Sequence, residues 1–330
     1  MMCPRLGRFW ALLCSALGLL IFLNGGAFAE SAKFPKRLIT LIVPTAPGGF
    51  LEIAARIVAK DVTDRTGTPT IVDFRAGAGG IVGLVALKQA APDGQTLLVG
   101  NSGPNAINPA IFRNVPYDPI KDFVPLTTLV YTPTVFVVPV SSPAKTFAEL
   151  VALADAKTGG LSFGSAGVGT SSHVVGEMLR VASKKKLVHV PYKGAGPMII
   201  DLLEGRVDFS ATSYSAIKAH IDEGKLRPLA VPGDARIVQL PNVPTTTEAG
   251  YPTVKLDYWA GLFAPAGTPA DIAEAISEEF NRTLSDPKII KALEERGLVV
   301  KGSKPAEFKS QLESELKAMR EVVEAAGLAQ

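Results

Sequence analysis

Short apolar runs rich in β-branched residues recur along this chain, each closed by a turn of small residues, and most lead into a segment of helical periodicity. The first is residues 38–44 (LITLIVP), ending in Pro44-Thr45-Ala46-Pro47-Gly48-Gly49. A run apolar on both faces reads as a strand of a parallel sheet covered on both sides. Residues 50–65 then place Leu51, Ala54, Ala55, Val58 and Val62 on one helix face. Further strands are expected at 70–73, 96–100, 130–140, 161–165, 187–191, 207–212 and 226–231. Helices are expected near 83–90, 147–156, 172–182, 197–203 and 214–223. Such alternation restricts the chain to an α/β fold built on parallel sheets.

Helix starts are marked by their chemistry. Thr146-x-x-Glu149 has the form of a capping box, and Thr268-Pro269-x-Asp271 predicts Pro at N1 with an acid at N3. The tail, residues 305–326, carries Phe308, Leu312, Leu316, Met319 and Val323 on one face and reads as a packing helix. Two extended segments, 127–140 and 254–265, exceed an ordinary strand in length. They suit two crossover strands between two lobes, one formed by residues 30–131 with 256–330, the other by 132–255. Alternatively, they are long strands of one sheet.

The N-terminus reads as an export signal. Arg5 and Arg8 precede an uninterrupted apolar run at residues 9–23, and Ala27-Phe28-Ala29 has the small-x-small form of a cleavage site, placing the cut after Ala29. A bilayer-spanning helix needs roughly 20 residues, more than this run offers. Cleavage removes two arginines and no acid, taking the net charge from +3 to +1, and removes both cysteines, Cys3 and Cys14. The mature chain then has no disulfide and no thiolate. With three His in all, neither a metal site nor a cofactor is expected. So small a net charge offers no field for nucleic acid.

Three strand ends open into turns of small residues. They are 44–49, Gly100-Asn101-Ser102-Gly103, and residues 164–172 (GSAGVGTSS). In open α/β sheets ligands bind beyond the carboxyl ends of strands. There, backbone N–H groups and helix N-termini hold an anion without Arg or Lys; equally, such residues only make tight turns. Enzyme motifs fail on inspection. Residues 164–171 approach a P-loop, but Thr170 stands where the Lys belongs. Gly77-x-Gly79 has Val82 where a dinucleotide fingerprint needs its third glycine. Phe163-Gly164-Ser165-Ala166-Gly167 approaches a nucleophile elbow but lacks the first glycine, leaving a Ser165–Asp208–His220 esterase as a weak alternative. His173 and Glu177 share a helix face without an evident third ligand, and His189 reads as a structural histidine.

Taken together these residues resemble the Bug/TctC family, the exported solute receptors of tripartite tricarboxylate transporters. The resemblance spans the mature chain: Ile42-Val43-Pro44 with Ala46-Pro47-Gly48-Gly49, Gly77-Ala78-Gly79-Gly80, Pro92-Asp93-Gly94, Ser165-Ala166-Gly167, Val190-Pro191-Tyr192-Lys193-Gly194, Gly205-Arg206-Val207-Asp208 and Tyr258-Trp259-Ala260-Gly261. It implies a two-lobe periplasmic binding protein fold of type II with two crossover hinge strands. It also implies a monomer without catalytic residues that grips a small organic carboxylate, mono- or dicarboxylate and possibly aromatic, and then docks on membrane subunits. Supply of a membrane sensor is the alternative role. Carried over by position, lobe one would contribute Thr45, Gly48, Gly49, Asn101 and Ser102. Lobe two would contribute Ser165, Ala166, Gly167, Thr170 and Thr212, with His173 and Ser213.

Three departures from the family pattern bear on the ligand. Glu52 replaces the usual Asp near the pocket mouth, and Phe74 and Ala76 replace the usual Asn and Pro around Arg75. Thr212 stands where several relatives present an Asp suited to a ligand ammonium, which implies a simple carboxylate over an amino acid. Phe50 either lines the mouth, admitting a bulky acid, or packs in the core.

Overall fold

The computed structural model describes residues 34–256, 258–325, 327 and 329; the expected signal and its cleavage site lie outside the described residues. Among the described residues, eleven strands form two sheets. The first contains β1 (Ile39–Val43), β2 (Thr70–Phe74), β3 (Thr96–Asn101), β4 (Phe123–Thr132), β10 (Tyr258–Pro265) and the short β11 (Val299–Val300). The second contains β5 (Thr134–Pro139), β6 (Leu161–Ser165), β7 (Leu187–Pro191), β8 (Phe209–Ser213) and β9 (Leu226–Ala230).

The sheets share one plan. In the first, β1 lies parallel between β2 and β3, and β10 runs antiparallel between β3 and β4. In the second, β6 lies parallel between β7 and β8, and β5 runs antiparallel between β8 and β9. Both sheets are therefore mixed, where the alternation alone predicted parallel ones. The antiparallel strand in each is the one whose chain arrives from the other sheet, so its direction is set by the crossover.

The segment 127–140 is two strands. Pro133 separates β4 from β5, and the chain changes sheets there. Proline has no N–H for either ladder, which suits the one residue belonging to neither. On the return, residues 258–265 are strand, whereas residues 254–256 are not. The Thr134 hydroxyl donates to the Leu256 carbonyl at 3.2 Å, tying the two connections side by side.

Each sheet is covered on both faces, as its strand composition requires. Ile39, Leu41 and Val43 pack with α1 (Phe50–Thr66) through Leu51, Ala54, Ala55 and Val58, while Ile42 faces the opposite core with Leu84 of α2 (Ile81–Lys88). In β5, Val135 and Val137 meet Met198 and Leu202 of α6 (Ala195–Leu203), and Phe136 and Val138 turn to Phe147 of α4 (Phe147–Ala156). A π-helical turn (Gly103–Ile107) and the single turn α3 (Asn108–Ile111) follow β3. The remaining helices are α5 (Ser171–Ser183), α7 (Tyr214–Asp222), α8 (Ala270–Ser285), α9 (Pro287–Glu294) and α10 (Pro305–Ala325). Phe308 of α10 packs closely against β10, where a Cβ on Gly261 would sit 2.1 Å from its ring; only glycine admits that approach.

The capping box at Thr146 forms, with Thr146 Oγ1 accepting from the Glu149 N–H and Glu149 Oε2 from the Thr146 N–H, both at 3.2 Å. At α8 the expected order shifts by one residue. Pro269 is the N-cap, and the Thr268 hydroxyl donates back to the Pro265 carbonyl at 2.8 Å instead of capping.

Candidate functional site

The carboxyl ends of β1 and β6 lead through short turns, and that of β8 directly, into the N-termini of α1, α5 and α7, and all three junctions face one cavity between the sheets. Its volume is about 50 Å³. From the first lobe come Thr45, Gly49, Phe50 and Leu51 at the start of α1, Asn101 at the end of β3, and Tyr258. From the second come Ala166, Thr170 and Ser172 at the start of α5, Ala195, and Thr212 and Ser213 leading into α7. None of these side chains is charged. The leading N–H groups of a helix have no partner within it, and the aligned peptide dipoles add about half a positive charge at that end. Three such ends converging on hydroxyl-lined space make a site for an anion, built without a basic residue.

The loops hold their shape through their own hydrogen bonds. Gly167 N–H donates to Ser165 Oγ at 3.1 Å and Ala166 N–H to Ser172 Oγ at 3.0 Å. The Thr170 hydroxyl donates to the Gly167 carbonyl at 2.6 Å, and Gly169 N–H reaches His173 Nδ1 at 3.3 Å. On the first lobe, Gly48 N–H donates to Glu52 Oε2 at 2.8 Å, and Glu52 Oε1 accepts from Arg56 at 2.7 Å. Burial raises the Glu52 pKa, but the Gly48 and Arg56 contacts outweigh it and hold the carboxyl below its usual range. Glu52 is therefore turned back onto the Thr45–Gly49 loop, which it fastens, and is not among the cavity-lining residues.

Seven of the sequence-derived candidates line the cavity: Thr45, Gly49, Asn101, Ala166, Thr170, Thr212 and Ser213. Gly48, Ser102, Ser165, Gly167 and His173 do not. Ser102 is fully buried, and Gly167 lines a neighbouring, larger cavity. Ser165 is buried behind the loop, with its hydroxyl 2.6 Å from His189 Nε2 and 3.2 Å from the Gly167 carbonyl. His189 in turn stacks on His173 at 4.1 Å. Burial, with His173 alongside, brings the His189 pKa down to about 3, and burial lowers that of His173. These two neutral rings support the loop from beneath.

The Ser165–Asp208–His220 triad is not assembled. Asp208 lies beside the opposite end of β6, taking the Ser162 N–H at 2.7 Å and Lys157 at 2.5 Å, while His220 sits near the end of α7. Among the described residues no group of three or more His, Asp or Glu side chains could hold a metal ion. No described helix is long and apolar enough to cross a membrane.

The model of the tripartite tricarboxylate transporter family receptor, TctC, matches residues 54–328. The chain belongs to this family. The BugT protein of Bordetella pertussis (strain Tohama I) is 31% identical to this receptor over 317 residues, covering 96% of this chain and 97% of that one. Among solved structures, Rpa4515 of R. palustris with adipate is 30% identical, with a TM-score of 0.86 over 90% of this receptor and 99% of that chain. MatC (Rpa3494) from Rhodopseudomonas palustris with bound malate is also 30% identical, with a TM-score of 0.83 over 88% and 100%. The receptor thus has the periplasmic binding protein architecture of these neighbours.

Ser172, Ala195 and Tyr258 line the receptor's cavity without having been singled out as site residues. Ser172 sits in the 164–172 turn, but its role depends on a hydrogen bond from the Ala166 N–H that spacing does not reveal. Tyr258 starts β10, far along the chain, and only the fold brings it edge-on to Phe50, ring centroids 5.7 Å apart. Phe50 is 5% exposed; it packs in the core as the first residue of α1 and also lines the cavity.

Proposed function

We propose that this receptor captures a small organic carboxylate between its two lobes in the periplasm, after export and cleavage behind Ala29, and delivers it as a monomer to transporter membrane subunits. The lobes in this reading are residues 30–131 with 256–330, and residues 132–255. The observation that carries it is the convergence of the α1, α5 and α7 N-termini on one uncharged, hydroxyl-lined cavity. Adipate in Rpa4515 and malate in MatC support the same ligand class. A neutral Thr212, with no acid lining the cavity, leaves a ligand ammonium without a charged partner, so simple carboxylates are preferred to amino acids.

A thermal-shift panel of mono-, di- and tricarboxylates, with aspartate and glutamate alongside, tests this reading. An acid at about 100 times its Kd stabilises the protein by about 2.7 kcal/mol. No shift with any carboxylate overturns the assignment. Aspartate binding more tightly than malate or succinate overturns the argument from Thr212.

A further inference from the structure

The lobes meet in a seam beside the inner cavity, and the approach there is backbone to backbone. A Cβ on Gly79 would lie 2.5 Å from the Val168 carbonyl oxygen, and one on Gly48 3.3 Å from Gly196 Cα. Polar atoms are caught in this seam. Asn108, which starts α3 in the first lobe, is fully buried; its Nδ2 donates to the Gly79 carbonyl at 3.0 Å, while its Oδ1 has no N–H or O–H partner. Oδ1 faces Gly169 of the second lobe, where a Cβ would fall 1.9 Å from it. A Cα–H points along that direction, so Oδ1 is left with a C–H···O contact, worth about half an N–H···O bond. The Gly169 N–H itself goes to His173 Nδ1.

Asn101 Oδ1 and Ser171 Oγ, one from each lobe, are likewise shut off from water without a partner. A Cβ on Gly103 would lie 3.7 Å from Asn101 Oδ1 and 3.4 Å from the Gly169 carbonyl oxygen, which puts Asn101 against the same second-lobe loop. The Tyr258 hydroxyl of the first lobe reaches toward Ser172 and Ser171. Ser171 Oγ still lacks a partner in hydrogen-bonding geometry.

A polar atom buried without a partner bears its full desolvation cost, whereas the same atom facing water bears none. We infer that this seam holds the ligand-free receptor open. Closure strands Asn101 Oδ1, Asn108 Oδ1 and Ser171 Oγ, and with the lobes apart each is hydrated. The lobes stay together only while an anion in the inner cavity offsets that cost, so the seam lowers affinity from outside the ligand's own contacts. This rests on the inner cavity being the anion site.

Ser171 gives the cleanest test, because it is not among the residues lining the inner cavity and its hydroxyl caps no helix. Ser171→Ala removes the stranded hydroxyl from the closed form and leaves the open form as it was. In calorimetric titrations with malate and adipate, the variant binds at least about 5-fold more tightly than wild type, the factor set by the low end of the cost of an unpaired buried group. Ser277→Ala is the control: its hydroxyl donates to the Leu126 carbonyl inside the first lobe at 2.8 Å, so its loss lowers the melting temperature and leaves affinity within about twofold. Small-angle X-ray scattering of wild type gives a larger radius of gyration without acid than with it. Equal radii, or Ser171→Ala binding no more tightly than wild type, overturns the role of the seam and leaves the anion site standing. If neither acid binds, the receptor reading fails for both. The ligand-free radius then decides the seam alone, a value above that of the lobes-together form supporting it and an equal value overturning it.

Discussion

Replacing Gly79 with Ala separates the cost of closing the cleft from the cost of folding the lobe. Gly79 has φ +62, in the left-handed region, where an L residue costs roughly 1–2 kcal/mol whether the lobes are together or apart. A Cβ there would also lie 2.5 Å from the Val168 carbonyl oxygen across the cleft. Carbon–oxygen contacts ordinarily begin near 3.3 Å, so the lobes must part by about 0.8 Å at this point. Overpacking of this kind costs about 1–3 kcal/mol, and here only the closed form bears it. Apparent affinity follows the population of the binding-competent form, so Kd rises about 5- to 150-fold.

Gly67→Ala is the matched control. Gly67 has φ +73 at the C-cap of α1, and a Cβ there would meet nothing within 4 Å. Both variants lose a few degrees of melting temperature, and only Gly79→Ala loses affinity. Calorimetry with whichever acid of the panel binds, alongside thermal melts of both variants, reads the two effects separately. If Gly79→Ala binds within twofold of wild type while melting like Gly67→Ala, Gly79 does not meet Val168 in the liganded state and the closure argument is wrong.

Gly261→Ala drives a methyl into the Phe308 ring and destabilises the first lobe by about 1–3 kcal/mol, seen in denaturant unfolding, with affinity retained in the folded fraction. Glu52→Ala leaves the Gly48 N–H without its carboxylate and loosens the Thr45–Gly49 loop; affinity drops about 3- to 10-fold, and an unchanged Kd would show that the loop needs no fastening. For His189, the unfolded chain takes up a proton near pH 6.5 and the folded chain only near 3, so its stabilisation is complete above pH 6.5 and is lost as pH falls through that window. Melting temperature therefore declines between pH 6.5 and 5, above the range of most carboxylates, and His189→Gln flattens that slope; an unchanged slope places the titrating group elsewhere.

The parts legible in the sequence were those governed by neighbours along the chain. The 44–49 turn follows a doubly apolar strand and precedes a helical pattern, so its position at the carboxyl edge could be read directly. The sheet change at Pro133 could not. Residues 130–139 are mostly apolar and extended on both sides of Pro133, and what divides them is which sheet each half joins, a long-range property. Helix α9 carried a local signal that went unread: Asp286 caps it, accepting from the Lys288 N–H at 2.7 Å, with Pro287 at N1. Ser165 illustrates the opposite limit. It sits in the expected turn, yet its side chain is held by His189, which follows it by 24 residues, and the turn motif alone cannot say which way a hydroxyl points.

The division of the inner cavity explains how binding can be coupled to closure. Thr45, Asn101 and the α1 N-terminus belong to one side; Thr170, Ser172, Thr212 and the α5 and α7 N-termini belong to the other. A carboxylate resting on one lobe meets only part of this donor set and keeps water on its other face. With the lobes together it meets all of it, in a space from which water is largely excluded and where each dipole acts more strongly. A ligand shifts a conformational equilibrium only by its difference in affinity between the states. A single cationic side chain on one lobe would bind the anion almost as well with the cleft open, and would weaken that difference. Neutral half-sites on opposite lobes place most of the affinity in the closed form, so that the ligand itself supplies the free energy of closure.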